Sequence, residues 1–340
     1  MKKLGLIALL FFSLSLLMFA GCERKIVNED AGDDLAFTSC FTCHGDDGLL
    51  LAAKGEWQNS VHASGNNVDY TNRGGTDCTK CHDHQGFIDY LETSEVDPPY
   101  SNVSAIHCFT CHAPHTNGNL SLRTTAAYTL ENGDTFDHGN GNLCANCHHS
   151  RYSVDNITDN IEVSTYWGPH HGPQGDLLTA SNGYEFDGYT YTTSTHASVV
   201  RDACAGCHMG QPQAHDGYKI GGHSFNMYDS ESGSDLSALC EECHASADSY
   251  DFTADADYDH DGNVEGYQTE ILGLTDSLRT LLLSAGVLDS TDHPVSQTIA
   301  NEETAGALFN FLLVHEDRSH GIHNFNYIKD LLQSSIEYLD

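Results

Sequence analysis

The sequence predicts a mostly α chain with extensive loop, little regular sheet and helices gathered toward its C-terminal end. Three observations predict it. The pattern Cys-x-x-Cys-His occurs six times between residues 40 and 244. The stretches between the copies are rich in Gly, Asn, Ser, Thr and Asp, which favour turns over long helices or strands. Beyond residue 266, apolar residues recur at helical spacing.

Charge excludes some function classes at once. The 340 residues carry 14 Lys plus Arg against 49 Asp plus Glu, a net charge of −35. A nucleic acid would be repelled, and so would an anionic lipid surface. Hydrophobic residues make up only 39%, sparse for a chain of this length, while Cys reaches 13 and His 22.

The N-terminus reads as an address. Met1, Lys2 and Lys3 are followed by an almost wholly apolar run over residues 4–20, then Gly21 and Cys22. Residues 1–21 therefore form a secretory signal peptide. Small residues before Cys22 resemble the lipobox of bacterial lipoproteins, in which that Cys is lipidated, although Phe19 stands where Leu is usual. The alternatives are an ordinary signal peptide or a retained anchor. Glu23 after Cys22 favours the outer membrane in the lipoproteins this resembles. Every version places the mature chain outside the cytoplasm, in the periplasm or at the outer membrane or cell surface; lipidation at Cys22 would anchor it to a membrane without spanning it. Residues 22–39 read as a lipid-anchored linker.

All other cysteines fall in the six motifs: Cys40/Cys43/His44, Cys78/Cys81/His82, Cys108/Cys111/His112, Cys144/Cys147/His148, Cys204/Cys207/His208 and Cys240/Cys243/His244. Chance predicts on the order of 0.03 such motifs at these Cys and His frequencies. The spacing has a chemical reason. Two thiols two residues apart reach the two vinyl groups of one haem and form thioethers, and the next His lies under the ring as an iron ligand. Disulfides would not need a His after each pair. Zinc sites would leave six such His unexplained, and thioredoxin-like pairs occur once or twice, not six times. Residues 40–250 are thus a hexahaem domain in which porphyrin supplies much of the apolar interior.

Six of the 22 His close motifs, so sixteen remain for the opposite faces of the irons. Met209 and Met227 are the thioether alternatives in the mature chain, and Met209 abuts a motif His, so bis-His ligation and low potentials are expected. His62 and His196 lie in a loose internal repeat, Ser-Val-His-Ala-Ser and Ser-Thr-His-Ala-Ser. His115 follows a motif closely, and His171, His223 and His323 sit in Gly-containing turns that let backbone approach a flat cofactor. These six are the distal candidates; the competing role is a second imidazole bonded to a propionate or carbonyl. His84, His107, His138, His149 and His215 are held in reserve, and His260, His293, His315 and His320 read as solvated.

Residues 251–340 change character. Asp257, Asp259, Asp261, Asn263 and Glu265, with Gly262, match the first nine places of a calcium loop, whereas Gln268 occupies the twelfth place, where a bidentate Glu is usual. The loop is a degenerate calcium candidate; the competing reading is an acidic solvated linker. Three helices follow. Ile271, Leu274, Leu278 and Leu281 mark one, Ile299, Leu308, Phe311 and Leu312 a second, and Phe325, Ile328, Leu332, Ile336 and Leu339 a third.

The mature chain resembles bacterial multihaem c-type cytochromes of the extracytoplasmic respiratory kind. The resemblance rests on the six motifs, on His-Cys-Phe-Thr-Cys-His-Ala-Pro-His at 107–115, and on the Pro-His-His-Gly-Pro-Gln and Gly-Gly-His-Ser-Phe segments. It implies a haem-packed fold with six haem c and iron-based electron transport by hopping. The partners implied are a multihaem or quinol-linked donor and an outer-membrane or extracellular acceptor, with no nucleic acid. Two rivals differ in class. A nitrite- or hydroxylamine-converting reductase needs one haem with an open face, and such enzymes often carry a motif ending in Lys, whereas all six here end in His. A cytochrome filament subunit, whose self-association needs a ligand or surface shared between copies, is the other.

Overall fold

The computed structural model describes residues 48–63, 76–96, 100, 103–211, 218–245 and 249–340. Cys22, Cys40, Cys43, His44 and His215 lie outside the described residues, as do the leader and the linker.

The first part of the chain is a series of short helices joined by loops. They are α1 (Gly48–Gln58), α2 (Thr76–His82), α3 (His84–Thr93), α4 (Cys108–Cys111), α5 (Pro114–Asn117), α6 (Gly141–Ala145), α7 (Gln174–Leu178), α8 (His196–Val199) and α9 (Cys204–His208). Four of them carry a haem motif; the sixth motif lies on and just past a 3-10 turn over Ser237–Glu242. Buried Asp83 ends one helix and starts the next. Its carboxylate accepts from Gly86 N at 2.9 Å, capping α3, and from Ser104 N at 2.9 Å. The α2–α3 corner is tight enough that a Cβ on Gly86 would meet Thr79 O at 2.4 Å.

Among the described residues, sheet is confined to three antiparallel two-stranded ribbons: β1 (Tyr128–Thr129) with β2 (Thr135–Phe136), β3 (Ile161–Val163) with β6 (Gln297–Ile299), and β4 (Tyr228–Asp229) with β5 (Ser234–Asp235). The β3–β6 ribbon, in register Ile161↔Ile299, ties the haem-bearing segment to the C-terminal one. Ile299, expected in a helix, is therefore a strand residue.

Three long helices complete the chain: α10 (Tyr267–Ser284), α11 (Glu302–Asp317) and α12 (Phe325–Leu339). The central one, α11, is buried from Ala305 to Val314, as a helix enclosed on every side must be. Asn301 and Asn324 cap α11 and α12 by accepting from Thr304 N and Tyr327 N. On α10 the inward face is Ile271, Leu274, Leu278 and Leu282; Leu281, expected there, is only half-buried because the stripe drifts by one residue over the last turn.

The main side-chain core forms here, with Phe309, Phe311, Leu313, Ile328 and Leu331 at its centre, and Val163, Leu177 and Phe186 reach into it from the haem-bearing segment. Buried Asn310 fixes that junction. Its Oδ1 accepts from Tyr184 N at 2.7 Å, and its Nδ2 donates to Tyr184 O and Ser335 Oγ. The second apolar cluster, around motifs four and five, is small: Leu130, Phe136, Ala145, Leu178 and Ala203. Among the described residues no helix is long and apolar enough to cross a membrane.

Candidate haem sites

None of the ten described motif cysteines is in a disulfide. On a helix, residues three apart share a face, so each helical Cys pair points the same way while the following His turns beside it.

The motif thiols differ in exposure, and Cys243 lies at the surface. That residue is exposed, as are Cys108 and Cys207, whereas the other seven described thiols are half-buried. Like Cys147, which follows α6, Cys243 lies just past its own helical turn. It follows the 3-10 turn as its C-cap, at φ −122° and ψ −29°, and its N–H donates to Cys240 O at 3.0 Å. The physical reason is position: residues 241–245 all face solvent, so motif six lies at the surface. The turn still closes over His244, whose N–H donates to Cys240 O at 2.7 Å.

What the fold adds is a second imidazole for each of the five described motif His. Ring centroids lie 6.1 Å apart for His62 and His148, 6.3 Å for His82 and His170, 6.3 Å for His112 and His223, 6.1 Å for His196 and His244, and 6.4 Å for His208 and His323. Two ring nitrogens each about 2 Å from one metal, and each roughly 1.1 Å from its own ring centre, put facing centroids about 6.3 Å apart. All five described motif His meet this spacing, so the residues fit covalently attached, bis-His haem.

Hydrogen bonding gives an independent test. A His that binds metal through Nε2 usually donates Nδ1–H to an oxygen. Nδ1 of His208 donates to Phe225 O at 2.9 Å, that of His196 to Ile322 O at 2.7 Å, that of His323 to Asp317 Oδ1 at 2.6 Å and that of His148 to Gln174 Oε1 at 3.1 Å. Each leaves Nε2 with its lone pair. Burial also keeps several of these rings neutral. His62 is pushed down to about 4 by burial and then by the neighbouring His148. His170 is likewise lowered to about 4 by burial and next by Arg151. His323 goes the other way: burial works to lower it, but the Asp317 carboxylate overrides that and raises it.

Four sequence candidates, His62, His196, His223 and His323, thus face a motif His. His171 does not. The structure turns His170 toward His82 instead, with His170 in the left-handed backbone region at φ 67°, while His171 Nδ1 pairs with Glu316 Oε2 at 2.8 Å. His115 is exposed, its ring 6.1 Å from that of Phe109, and faces none of the five described motif His. Among the reserves, His149 has both nitrogens occupied: Nδ1 donates to Ser150 O at 2.6 Å and Nε2 accepts from Tyr128 Oη at 2.9 Å. His84 and His107 pack against one another at a tilt with centroids 4.0 Å apart, and His138 packs edge-on against Phe136. His260, His293, His315 and His320 are exposed.

The motifs are not strung out in sequence order. Motif two touches motif four: Cys81 Sγ reaches Asn146 O at 4.0 Å, and the Cys81 and Cys147 thiols lie close enough to lower the one and raise the other. Motif four also touches motif five. Asn140 N donates to Asp202 Oδ1 at 3.0 Å, Cys144 and Cys204 are partners, and a Cβ on Gly141 would meet Asp202 O at 2.8 Å. Phe225 packs edge-on to both His62 and His223, at 5.0 and 6.2 Å, which places it between the imidazole pairs of motifs four and three.

The acidic loop has the turn its sequence suggested. Gly262 takes φ 98°, and Asp257, Asp259 and Asp261 accept from Gly262 N, Asp261 N and Asn263 N. Carboxylate oxygens of Asp257, Asp259 and Glu270 converge within 4.8 Å, as do those of Asp259, Asp261 and Glu265. The expected twelfth residue is absent from this group: Gln268 donates away from the loop, to Ser319 O. Fully buried Glu270, two residues on, takes its place and also accepts from the backbone of Tyr258, Asp259 and Glu265. Asp257 Oδ1 is buried with no hydrogen-bond partner among the described residues.

No protein-family model matches the chain. The C-type polyheme cytochrome OmcB of Geobacter sulfurreducens is 23% identical over 352 aligned residues, covering 80% of this chain and 45% of OmcB. OmcC of the same organism is 21% identical, covering 77% of this chain and 36% of its own length. The chain thus spans less than half the length of these curated relatives. The outer cell wall cytochrome OcwA has a similar fold, with a TM-score of 0.51 at 19% identity over 85% of this chain and 50% of that one. The facing imidazoles and the comparisons point the same way: this chain is similar in sequence to polyheme c-type cytochromes and in fold to OcwA.

Proposed function

We propose that the protein is an extracytoplasmic electron carrier holding six haem c, each with two axial His. The observation that carries this is the set of five facing imidazole pairs: His148 with His62, His82 with His170, His112 with His223, His244 with His196, and His208 with His323. His44 and its partner complete the set. The bound haems supply one-electron exchange between ferric and ferrous iron. The chain's own part is to fix the ligands, hold the motifs in contact and exclude a vacant axial position. A reductase reading is disfavoured because each described motif His already faces an imidazole.

The contacts of motif four with motifs two and five, and through Phe225 with motif three, make it a junction. Motifs five and six continue from it, the Cys240 thiol lying near enough to Cys207 to help burial raise that thiol. Electrons entering at one motif can leave by more than one other. Motif six, with Cys243 and His244 at the surface, is suited to exchange with a partner. The strongly acidic chain favours cationic or locally basic redox partners and speeds their encounter. Export through the leader and lipidation at Cys22 place it at a membrane surface; self-association stays compatible with this role.

The acidic loop would bind calcium through Asp257, Asp259, Asp261, Asn263 and Glu265, with Glu270 as an added ligand. The support is the convergence of carboxylates around the buried, unpartnered Asp257 Oδ1.

Pyridine-haemochrome quantification, mass spectrometry and EPR of the purified ferric protein test the main reading. Six porphyrin additions and purely low-spin signals are expected. A high-spin, five-coordinate component with nitrite turnover would replace it with the reductase.

A further inference from the structure

We infer that the buried carboxylate of Asp317 sets the haem of motif five, held by Cys204, Cys207, His208 and His323, at the lowest midpoint potential among the five described ligand pairs. This rests on the reading that His208 and His323 share one iron.

The geometry singles out this pair. Asp317 is the last residue of α11 and is 3% exposed. Its Oδ1 lies 2.6 Å from His323 Nδ1. Its Oδ2 accepts from Ser319 N at 3.3 Å and from Ser319 Oγ. Among the described residues no Lys or Arg is a partner; the adjacent Arg318 pairs with Glu316. A carboxylate at a helix C-terminus also meets the negative end of the helix dipole. An anion is disfavoured there by both burial and position, and its one strongly polar, non-local partner is the imidazole.

The other distal candidates have weaker acceptors. His196 donates to a neutral carbonyl, Ile322 O. Near His223 the carboxylate of Glu56 stands off at 3.4 Å from Nδ1 and is engaged by His223 N at 2.9 Å. A contact of 3.4 Å is beyond the usual range for a hydrogen bond to nitrogen, whereas 2.6 Å is that of a strong charge-assisted one. For His62 and His170 no Nδ1 partner is found among the described residues. A strong bond from Nδ1–H to an anion shifts electron density onto the imidazole, makes Nε2 a better donor and favours ferric over ferrous iron. Asp317 is thus a positioning and tuning residue that acts through His323.

The test compares three variants by spectroelectrochemical titration and EPR, each with its haem count checked. In Asp317→Asn, one component of six should rise by at least a tenfold change in its oxidation equilibrium, which is about 59 mV for one electron. One set of low-spin g-values should change with it. Asp317→Glu, which keeps the charge, should recover most of the shift. His323→Ala should give one high-spin haem; if it does not, the ligand assignment itself fails. If His323→Ala behaves as expected but Asp317→Asn leaves every potential in place, the tuning role is overturned. Should Asp317→Asn not take up six haems, near-infrared magnetic circular dichroism of the native ferric protein decides. One haem displaced from the neutral bis-imidazole band supports the inference, and a uniform band overturns it.

Discussion

Gln174 bridges His148 and the end of α11. Its Oε1 accepts from His148 Nδ1 at 3.1 Å, and its Nε2 donates to Glu316 O at 3.2 Å. The proximal imidazole of the junction motif is therefore oriented by the C-terminal helices and not only by its own helix. Gln174→Leu removes the acceptor while keeping the bulk. Loss of one such bond costs about 1 kcal/mol of stability. The potential of one haem should rise while all six are retained, read by thermal unfolding and potentiometry.

Adjacent histidines should separate cleanly. His170→Ala is expected to convert one ferric haem to high spin, because His170 faces His82. His171→Ala should leave the EPR spectrum low-spin, because His171 faces Glu316 instead. A high-spin signal in the His171 variant alone would reverse the assignment.

Calcium should stabilise the native protein and not Glu270→Gln. At a free calcium concentration about a hundred times the dissociation constant, one site contributes about 2.7 kcal/mol. Differential scanning with and without chelator reads it. Equal melting of the wild type in both conditions would remove the site.

Asp176 gives a pH dependence of definite sign. Burial raises it to about 7, even though Ser150 N donates to its carboxylate at 2.7 Å. The folded state binds this proton more tightly than the unfolded chain does. Its contribution is fully present below the unfolded value near 4 and declines as pH rises toward and through 7. Denaturant unfolding should show wild type losing stability across that window. Asp176→Asn should lose less over the same window and be the more stable of the two at about pH 8.

Phe309→Ala should cost about 3–5 kcal/mol, because the ring is fully buried at the centre of the main core. Haem stoichiometry should survive if the protein is recovered folded, since the ring neighbours of Phe309, Tyr152 and Trp167, are not themselves motif residues.

The motif His, the paired thiols and the C-terminal helices were legible because their signals are local: fixed spacing in one case, a 3.6-residue period in the other. Spacing did not record burial, so it could not tell that Cys243 lies at the surface while Cys147 touches a second motif. The distal ligands were only partly legible. His223 faces His112 and His323 faces His208 across long stretches of chain, and nothing local encodes which partner is met. Glycine-containing turns pointed to His223 and His323 for a sound reason, since both approach a motif closely. The same reasoning could not separate His170 from His171, because one left-handed residue, His170, decides which ring turns inward. Glu270 was missed because it lies outside the loop's expected spacing and reaches it only through the first turn of α10.

The sequence by itself determined how many haem motifs the chain carries and which residues are fitted to bind covalently and proximally, because thioether chemistry demands two thiols and a following His in one short run. Only the tertiary structure decided which imidazole faces each motif His, which motif stands at the junction and which carboxylate lies against a ligand. Those depend on atoms brought within a few ångströms by packing between distant segments, chiefly the β3–β6 ribbon and the burial of α11, and no local spacing records them.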